Sequence, residues 1–274
     1  MRQGLLAVVA VALLAGCGGL VGTSTETTVT PAPVPEPPAT ESTGSAIAPG
    51  VGGARIVDAD RLARAHRAAI RERSYVWQEH QRASPVGTNE SERVDTRLWV
   101  EHERRYRYEL ATSWRPVNTS GYTEGETRYR RDVSRAGFTY STASATNATA
   151  RYGHQPEVAI SRYLAIGSAT VAATTVDGKR YYRITGSGDT LPVTGEISNY
   201  SVEALVAPSG VVRSLSVSYE DVIGSNRERI DYRYRYSAVG ETTVQPPEWV
   251  RARWPENVTT ATTTATRSAT DTPD

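Results

Sequence analysis

Residues 229–237 read RIDYRYRYS, and this stretch decides the fold. Tyr232, Tyr234 and Tyr236 alternate with Arg233 and Arg235, a period of two that no helix can place on one face. A strand can, with rings on one side and guanidinium groups on the other. The period recurs upstream. Tyr106, Tyr108 and Leu110 face away from Arg105, Arg107 and Glu109. Tyr75 and Trp77 alternate with polar neighbours, and Val94, Thr96, Leu98 and Val100 form a further set. Weaker strands are expected near 127–133 and 138–141, with Arg135-Ala136-Gly137 as the turn between them. Segments 169–176 and 180–185 flank Asp177-Gly178, a two-residue hairpin signal. Segments 201–207 and 211–221 flank the Pro208-Ser209-Gly210 turn, and Gly224-Ser225-Asn226 leads into the strand quoted first.

Two helices interrupt the strand pattern. Asp58 is the expected N-cap of the first, with Val57 and Leu62 at the positions of a hydrophobic staple. Leu62, His66, Ala69 and Ile70 repeat at helical spacing, and His66 on that stripe reads as a packed histidine rather than a ligand. The second helix is expected over 156–166. Pro156 suits its first helical position, Val158, Ile160, Tyr163 and Leu164 form its apolar stripe, and Gly167 marks its end. The total is about ten strands in two runs, each preceded by a helix. The class is therefore α+β, mainly β with two helices. Short connections demand an antiparallel meander. Its apolar face must be covered or the sheet must close, and the two helices are the available cover.

The ends of the chain differ in character from this domain. The 274 residues carry 31 Lys+Arg, 30 Asp+Glu and a single Cys, a balance that gives no reason to expect nucleic acid. One Cys excludes an internal disulfide framework and a multi-Cys zinc site. Arg2 is a short positive region, followed by the apolar run LLAVVAVALL from Leu5 to Leu14. About ten apolar residues cannot cross a bilayer core that needs roughly 20. A short apolar run before small residues is the build of a secretory signal peptide. Residues 1–16 are that signal, and Leu14-Ala15-Gly16-Cys17 matches a lipobox, so Cys17 is the expected lipidation site. Residues 17–53 form a Thr/Pro-rich stalk that lacks the apolar surface to fold. The patterned domain spans 54–254, and 255–274 is a Thr-rich tail of the stalk's composition.

The lipobox, the stalk and the α-β5-α-β5 order together resemble an uncharacterised lipoprotein family of halophilic archaea. Arg64-Ala65-His66 through Ser74-Tyr75, residues 207–215 (APSGVVRSL) and the closing Tyr234-Arg235-Tyr236-Ser237…Pro246-Pro247-Glu248-Trp249 carry the resemblance. The order of elements is similar to the LolA/LolB and LppX/LprG lipid-binding lipoproteins. That likeness implies a curved antiparallel sheet, an incomplete β-barrel with helices on the concave face around an apolar cavity. The near-neutral charge departs from the acidic composition usual in extreme halophiles.

Catalytic motifs are sparse. No Gly-x-Ser-x-Gly elbow occurs, and the single Lys, Lys179, lacks a glycine-rich phosphate loop. His102-Glu103 begins like a zinc-peptidase motif, but Tyr106 stands where the second His belongs. His66, His80, His102 and His154 have no metal-ligand spacing. No enzyme, cofactor or metal is expected. Asparagine is more telling: of six Asn, five head an Asn-x-Ser/Thr triplet (Asn89, Asn118, Asn147, Asn199 and Asn257). These are N-glycosylation candidates of a protein outside the cytoplasm, Asn89 and Asn118 in loop sequence and Asn199 at a strand border.

The expected protein is held by a lipid on Cys17 to the outer face of the cytoplasmic membrane. It is non-catalytic and binds a lipid or other apolar ligand; the alternative is a cell-envelope scaffold or sensor that binds protein partners. Tyr75, Trp77, Tyr106, Tyr108, Tyr232, Tyr234 and Tyr236 share the inner phase of their strands. They form either a core under the helices or the lining of a ligand cleft.

Overall fold

The computed structural model describes residues 46–114, 118–188, 191, 197–223 and 226–257. The signal segment, Cys17, most of the stalk and the tail beyond Asn257 lie outside them. Helix α1 (Ala59–Arg71) is followed by six strands: β1 (Tyr75–Pro85), β2 (Glu92–His102), β3 (Arg105–Thr112), β4 (Asn118–Glu124), β5 (Thr127–Ser134) and β6 (Gly137–Ser144). Helices α2 (Ala148–Tyr152) and α3 (His154–Tyr163) come next. Five strands then complete the sheet: β7 (Ala169–Val176), β8 (Lys179–Gly188), β9 (Ile197–Val206), β10 (Val212–Ile223) and β11 (Asn226–Ser237). A short helix α4 (Glu248–Arg253) and one 3-10 turn (Pro255–Asn257) follow.

All eleven strands belong to one antiparallel sheet in the order β6-β5-β4-β3-β2-β1-β11-β10-β9-β8-β7. β6 and β7 are its edges and, among the described residues, do not pair, so the sheet is an incomplete barrel. The expected class holds, with eleven strands in place of about ten and four α-helices in place of two among the described residues. The topology explains the helical cover. The chain must pass from the β6 edge to the β7 edge, and α2 and α3 make that crossing. Ile160 and Leu164, fully buried, press into the same core as Leu62 of α1.

The strand that the pattern does not announce is β4. Its sequence, NTSGYTE, has no apolar alternation, yet it pairs with β3 and β5 along its length. Gly121 gives the reason for its odd composition. It faces Tyr108 across the ladder, and a Cβ at that position would lie 2.0 Å from the Tyr108 ring. The strand is selected for room rather than for side-chain bulk. The second helix also begins earlier than expected. Pro156 is its third residue, within the first turn, where a missing N–H costs no hydrogen bond.

The α1 start is as read: the Asp58 carboxylate accepts a hydrogen bond from the Arg61 N–H at 2.7 Å. Val57 is 55% exposed, so the capping bond rather than a staple fixes this end. Packing extends into the stretch read as stalk, because Ala48 and Val51 are buried with the core. The N–H groups of Val57 and Asp58 both donate to the Gly50 carbonyl. Gly50, at φ 75°, is forced to be glycine, since a Cβ would lie 2.1 Å from the Asp58 carbonyl oxygen.

Two hydrophobic clusters flank the sheet. The larger holds α1, α2, α3 and the inner face. The smaller lies on the opposite face, where Tyr122, Tyr129, Val244 and Val250 are buried with Trp99, Trp249 and Trp254 against them. The segment after β11 forms that second cover. Its Val244 is tied down by the Glu101 carboxylate, which accepts from the Val244 N–H at 2.8 Å, and by Arg105 Nε, which donates to the Val244 carbonyl at 3.1 Å.

Candidate functional site

Strand register brings the seven singled-out aromatic residues onto one face. Tyr236 faces Trp77, Trp77 faces Leu98, and Leu98 faces Tyr108 across four strands; Tyr75, Val100 and Tyr106 form the next row. Tyr232 and Tyr234 continue the β11 file. All seven are buried, none more than 7% exposed. Their rings meet largely edge to face: Tyr234 lies 5.9 Å from Tyr236 at 85° and 6.2 Å from Tyr232 at 78°. The inner layer is a tyrosine-rich core, closed over by α1 and α3.

His66 fastens α1 to this layer. The Val212 N–H donates to His66 Nδ1 at 3.1 Å, so Nδ1 is the unprotonated nitrogen. The proton therefore sits on Nε2, 3.4 Å from the Tyr236 hydroxyl. Burial holds the imidazole down at about 3, against an ordinary 6.5, and keeps it neutral. It is a packed histidine, as its place on the apolar stripe implied. The neighbouring Gly210, at φ 88°, lets α1 sit close: a Cβ there would come 2.9 Å from Ala65 Cβ. Thus Ala65-His66 and the 207–215 stretch are the two halves of one docking joint. Arg67 of α1 pairs with Glu157 of α3 at 2.7 Å, so the two helices are also tied to each other.

Three polar features interrupt the apolar layer. Glu79, between Thr96 and Tyr234 in its row, is 5% exposed. Burial raises its pKa, opposed by hydrogen bonds from Tyr232 and Gln81. Trp77 Nε1 and the Tyr234 hydroxyl are buried without hydrogen-bond partners among the described residues. Two residues along β1 on the same face, Gln81 is exposed, so Glu79 marks the end of the covered zone. The pattern gave no warning of Glu79, which occupies an inward position that alternation assigns to apolar residues.

The sequons are dispersed. Asn89 is exposed in the turn between β1 and β2. Asn118 is exposed too, but it opens β4 instead of lying in a loop. Asn147 is the N-cap residue of α2, and its side-chain oxygen is buried. Asn199 lies inside β9, exposed, at φ 55°, beside an irregularity in the pairing with β10. Asn257 closes the 3-10 turn. Cys17 lies outside the described residues. His102 and Glu103 end β2 and start its turn; the Glu103 carboxylate accepts from the Thr149 N–H at 3.0 Å and from the Thr149 hydroxyl, which caps α2. Among the described residues, no group of three His, Cys, Asp or Glu side chains is placed to hold a metal ion.

No family model matches the chain, and no curated protein does. Solved structures show slight likenesses. A LolA superfamily protein from Nitrosomonas europaea is 12% identical, with a TM-score of 0.26, covering 71% of this chain and 97% of that one. A DUF1329 family protein from Desulfovibrio piger is 10% identical, at a TM-score of 0.24 over 70% and 95%. An outer membrane lipoprotein-sorting protein domain from Vibrio parahaemolyticus is 6% identical, at 0.24 over 70% and 94%. Likenesses this slight carry no function to the present chain.

Proposed function

We propose that this chain is a non-catalytic binding lipoprotein, held by a lipid on Cys17 to the outer face of the cytoplasmic membrane, that takes an apolar or lipid-like ligand on its inner face. Its place among the lipoproteins of halophilic archaea, and the glycosylation of its sequons, belong to the same reading. The observation that carries it is the tyrosine layer with unpartnered Trp77 Nε1 and Tyr234 hydroxyl beside buried Glu79. Each such orphan costs about 1–3 kcal/mol in a closed core. A headgroup admitted beneath α1 and α3 at the Glu79 end would supply partners for both. Arg67 and Glu157 tie together the two helices under which it would enter.

The tests separate place from ligand. Cys17→Ser should release the chain from the membrane or leave the signal segment uncleaved; a membrane-retained, unlipidated mature mass overturns the anchor. Native mass spectrometry of protein from its own membranes should show a bound small-molecule mass. Tyr234→Phe should weaken binding of a fluorescent lipid. If no ligand mass is found and the variant is simply more stable by about 1 kcal/mol, the layer is core alone.

A second reading, a module that binds envelope proteins, is favoured by β6. It is an edge strand, exposed along nearly all its length, with Phe138 60% exposed. Such an edge accepts an added strand from a partner. Crosslinking at Phe138 in cells would give a discrete adduct on this reading, and none on the first.

A further inference from the structure

The outer face of the central strands carries a groove of about 800 Å³ that the reading above leaves unused. The register builds its floor in two rows. Arg97, Gln78 and Arg235 are adjacent across β2, β1 and β11, and Asp95, His80 and Arg233 lie beside them. Strands stand about 4.8 Å apart, and alternate residues along a strand about 6.8 Å. Arg97 and Arg235 are therefore about 10 Å apart across Gln78, with Arg233 one step along. Three long side chains can meet over Gln78.

The charge there is not balanced. Arg97, Arg131, Arg233 and Arg235 line the groove against two outward carboxylates: Asp95, hydrogen-bonded to His80, and Glu109, opposite Arg97 in the register and paired with Arg107. Arg97, Arg233 and Arg235 are exposed and form no ion pair among the described residues; Arg97 instead lies over the Trp99 ring at 4.5 Å. Elsewhere on this face arginines do meet acids: Arg105 with Glu101 and Glu124, Arg183 with Glu203, Arg229 with Asp231. A solvated strand face mixes its signs in that second way. Uncompensated cations crowded in a concavity repel one another and focus a field on whatever enters.

We infer that this groove is an anion site for phosphate-type oxyanions carrying more than one charge. Guanidinium forks take oxygens in pairs. A lone carboxylate satisfies one fork, whereas a phosphate or pyrophosphate offers enough oxygens and charge for three. The Gln78 amide adds a neutral donor at the centre. The phosphate could be free or belong to a lipid headgroup, and the experiment separates the two.

Full-length chain is titrated with sodium pyrophosphate by calorimetry. It is also sedimented with phosphatidylcholine vesicles, with and without phosphatidic acid, so that binding through its own anchor is subtracted. Losing one charged hydrogen bond corresponds to roughly 10–100-fold in affinity. Arg97→Gln and Arg235→Gln should each weaken binding by at least about tenfold, while Arg229→Gln, already ion-paired, should not. Far-ultraviolet circular dichroism checks that the variants fold. Arginine-dependent binding of pyrophosphate assigns a free phosphate; arginine-dependent binding confined to vesicles with phosphatidic acid assigns a headgroup. Absence of both, or binding unchanged when Arg97→Gln and Arg235→Gln are combined, overturns the site.

Discussion

The two faces of one sheet solve opposite problems with the same strands. On β11, Tyr232, Tyr234 and Tyr236 turn inward under α1 and α3, while Arg233 and Arg235 turn outward into an open groove. The inner side is closed by helices that cross from edge to edge, and is stabilised by aromatic burial. On the outer side the segment that follows β11 covers Trp99, Tyr122 and Tyr129 of β2, β4 and β5, while Gln78, Arg233 and Arg235 of β1 and β11 stay exposed. Burial of both faces would have consumed the arginines. The division lets one layer bury its rings under the helices while the other keeps its arginines in solvent.

The sharpest way to break this comparison is to truncate neighbours on one strand. Tyr234→Ala should cost about 3–5 kcal/mol, as large aromatic truncations in packed cores do. Urea unfolding followed by tryptophan fluorescence measures it. A cost under about 1 kcal/mol would mean that the Tyr234 ring is not packed even with α1 and α3 closed over it.

Acid should act next most strongly, and through the inner face. Above about 6.5 the His66 imidazole is neutral whether folded or unfolded. Below that, the unfolded chain takes up a proton that folded His66 refuses until about 3. Stability contributed by neutral His66 is thus complete above 6.5 and falls by about 1.4 kcal/mol per pH unit down that window. Glu79 has the opposite sign. Its raised pKa favours the protonated folded state, so its contribution is present in acid and lost as pH rises through the raised value. Urea titrations at pH 7, 6 and 5 on the wild type and on His66→Gln isolate the histidine. The variant should lose the acid-side slope, and an unchanged slope would assign it to another group.

A smaller effect is expected from the outer cover. Val250 of α4 is fully buried, and Val250→Ala should cost about 2 kcal/mol. Hydrogen exchange should quicken in α4 and β4–β5 before the β1–β11 pair. The smallest effect belongs to Arg233→Ala, within about 0.5 kcal/mol of neutral, on the same strand as the largest.

Much of this was legible because period-two alternation is a direct image of a sheet with one buried side. RIDYRYRYS and the Arg105–Leu110 stretch revealed their faces, and Asp58 and Asp177-Gly178 revealed a cap and a turn. The outer cluster was not legible. Trp99, Tyr122 and Tyr129 occupy the phase that alternation assigns to solvent, and only the returning Val244–Trp254 segment makes them core. β4 was hidden because Gly121 is chosen for the Tyr108 ring rather than for strand propensity. The uncompensated arginines were visible as residues, but their meeting required the β1–β11 pairing, which joins positions far apart in the chain.

That pairing has a consequence for how the molecule comes together. Every other neighbour relation in the sheet is between consecutive strands, so β1–β6 and β7–β11 are two self-contained meanders. Only the β1–β11 seam links distant positions, with Val76 opposite Ser237. The sheet is in effect one long meander cut at its middle, with its two edge strands, β6 and β7, joined through α2 and α3. Each half can zip locally by hairpin growth, and the seam must wait for a long loop to close. His66, Trp77, Tyr234 and Tyr236 all gather there, so the last contacts to form are also the most aromatic. A permuted chain that joins the segment after β11 to the one before α1 and opens between α3 and β7 would make β11 and β1 consecutive strands and shorten the loop that the seam must close.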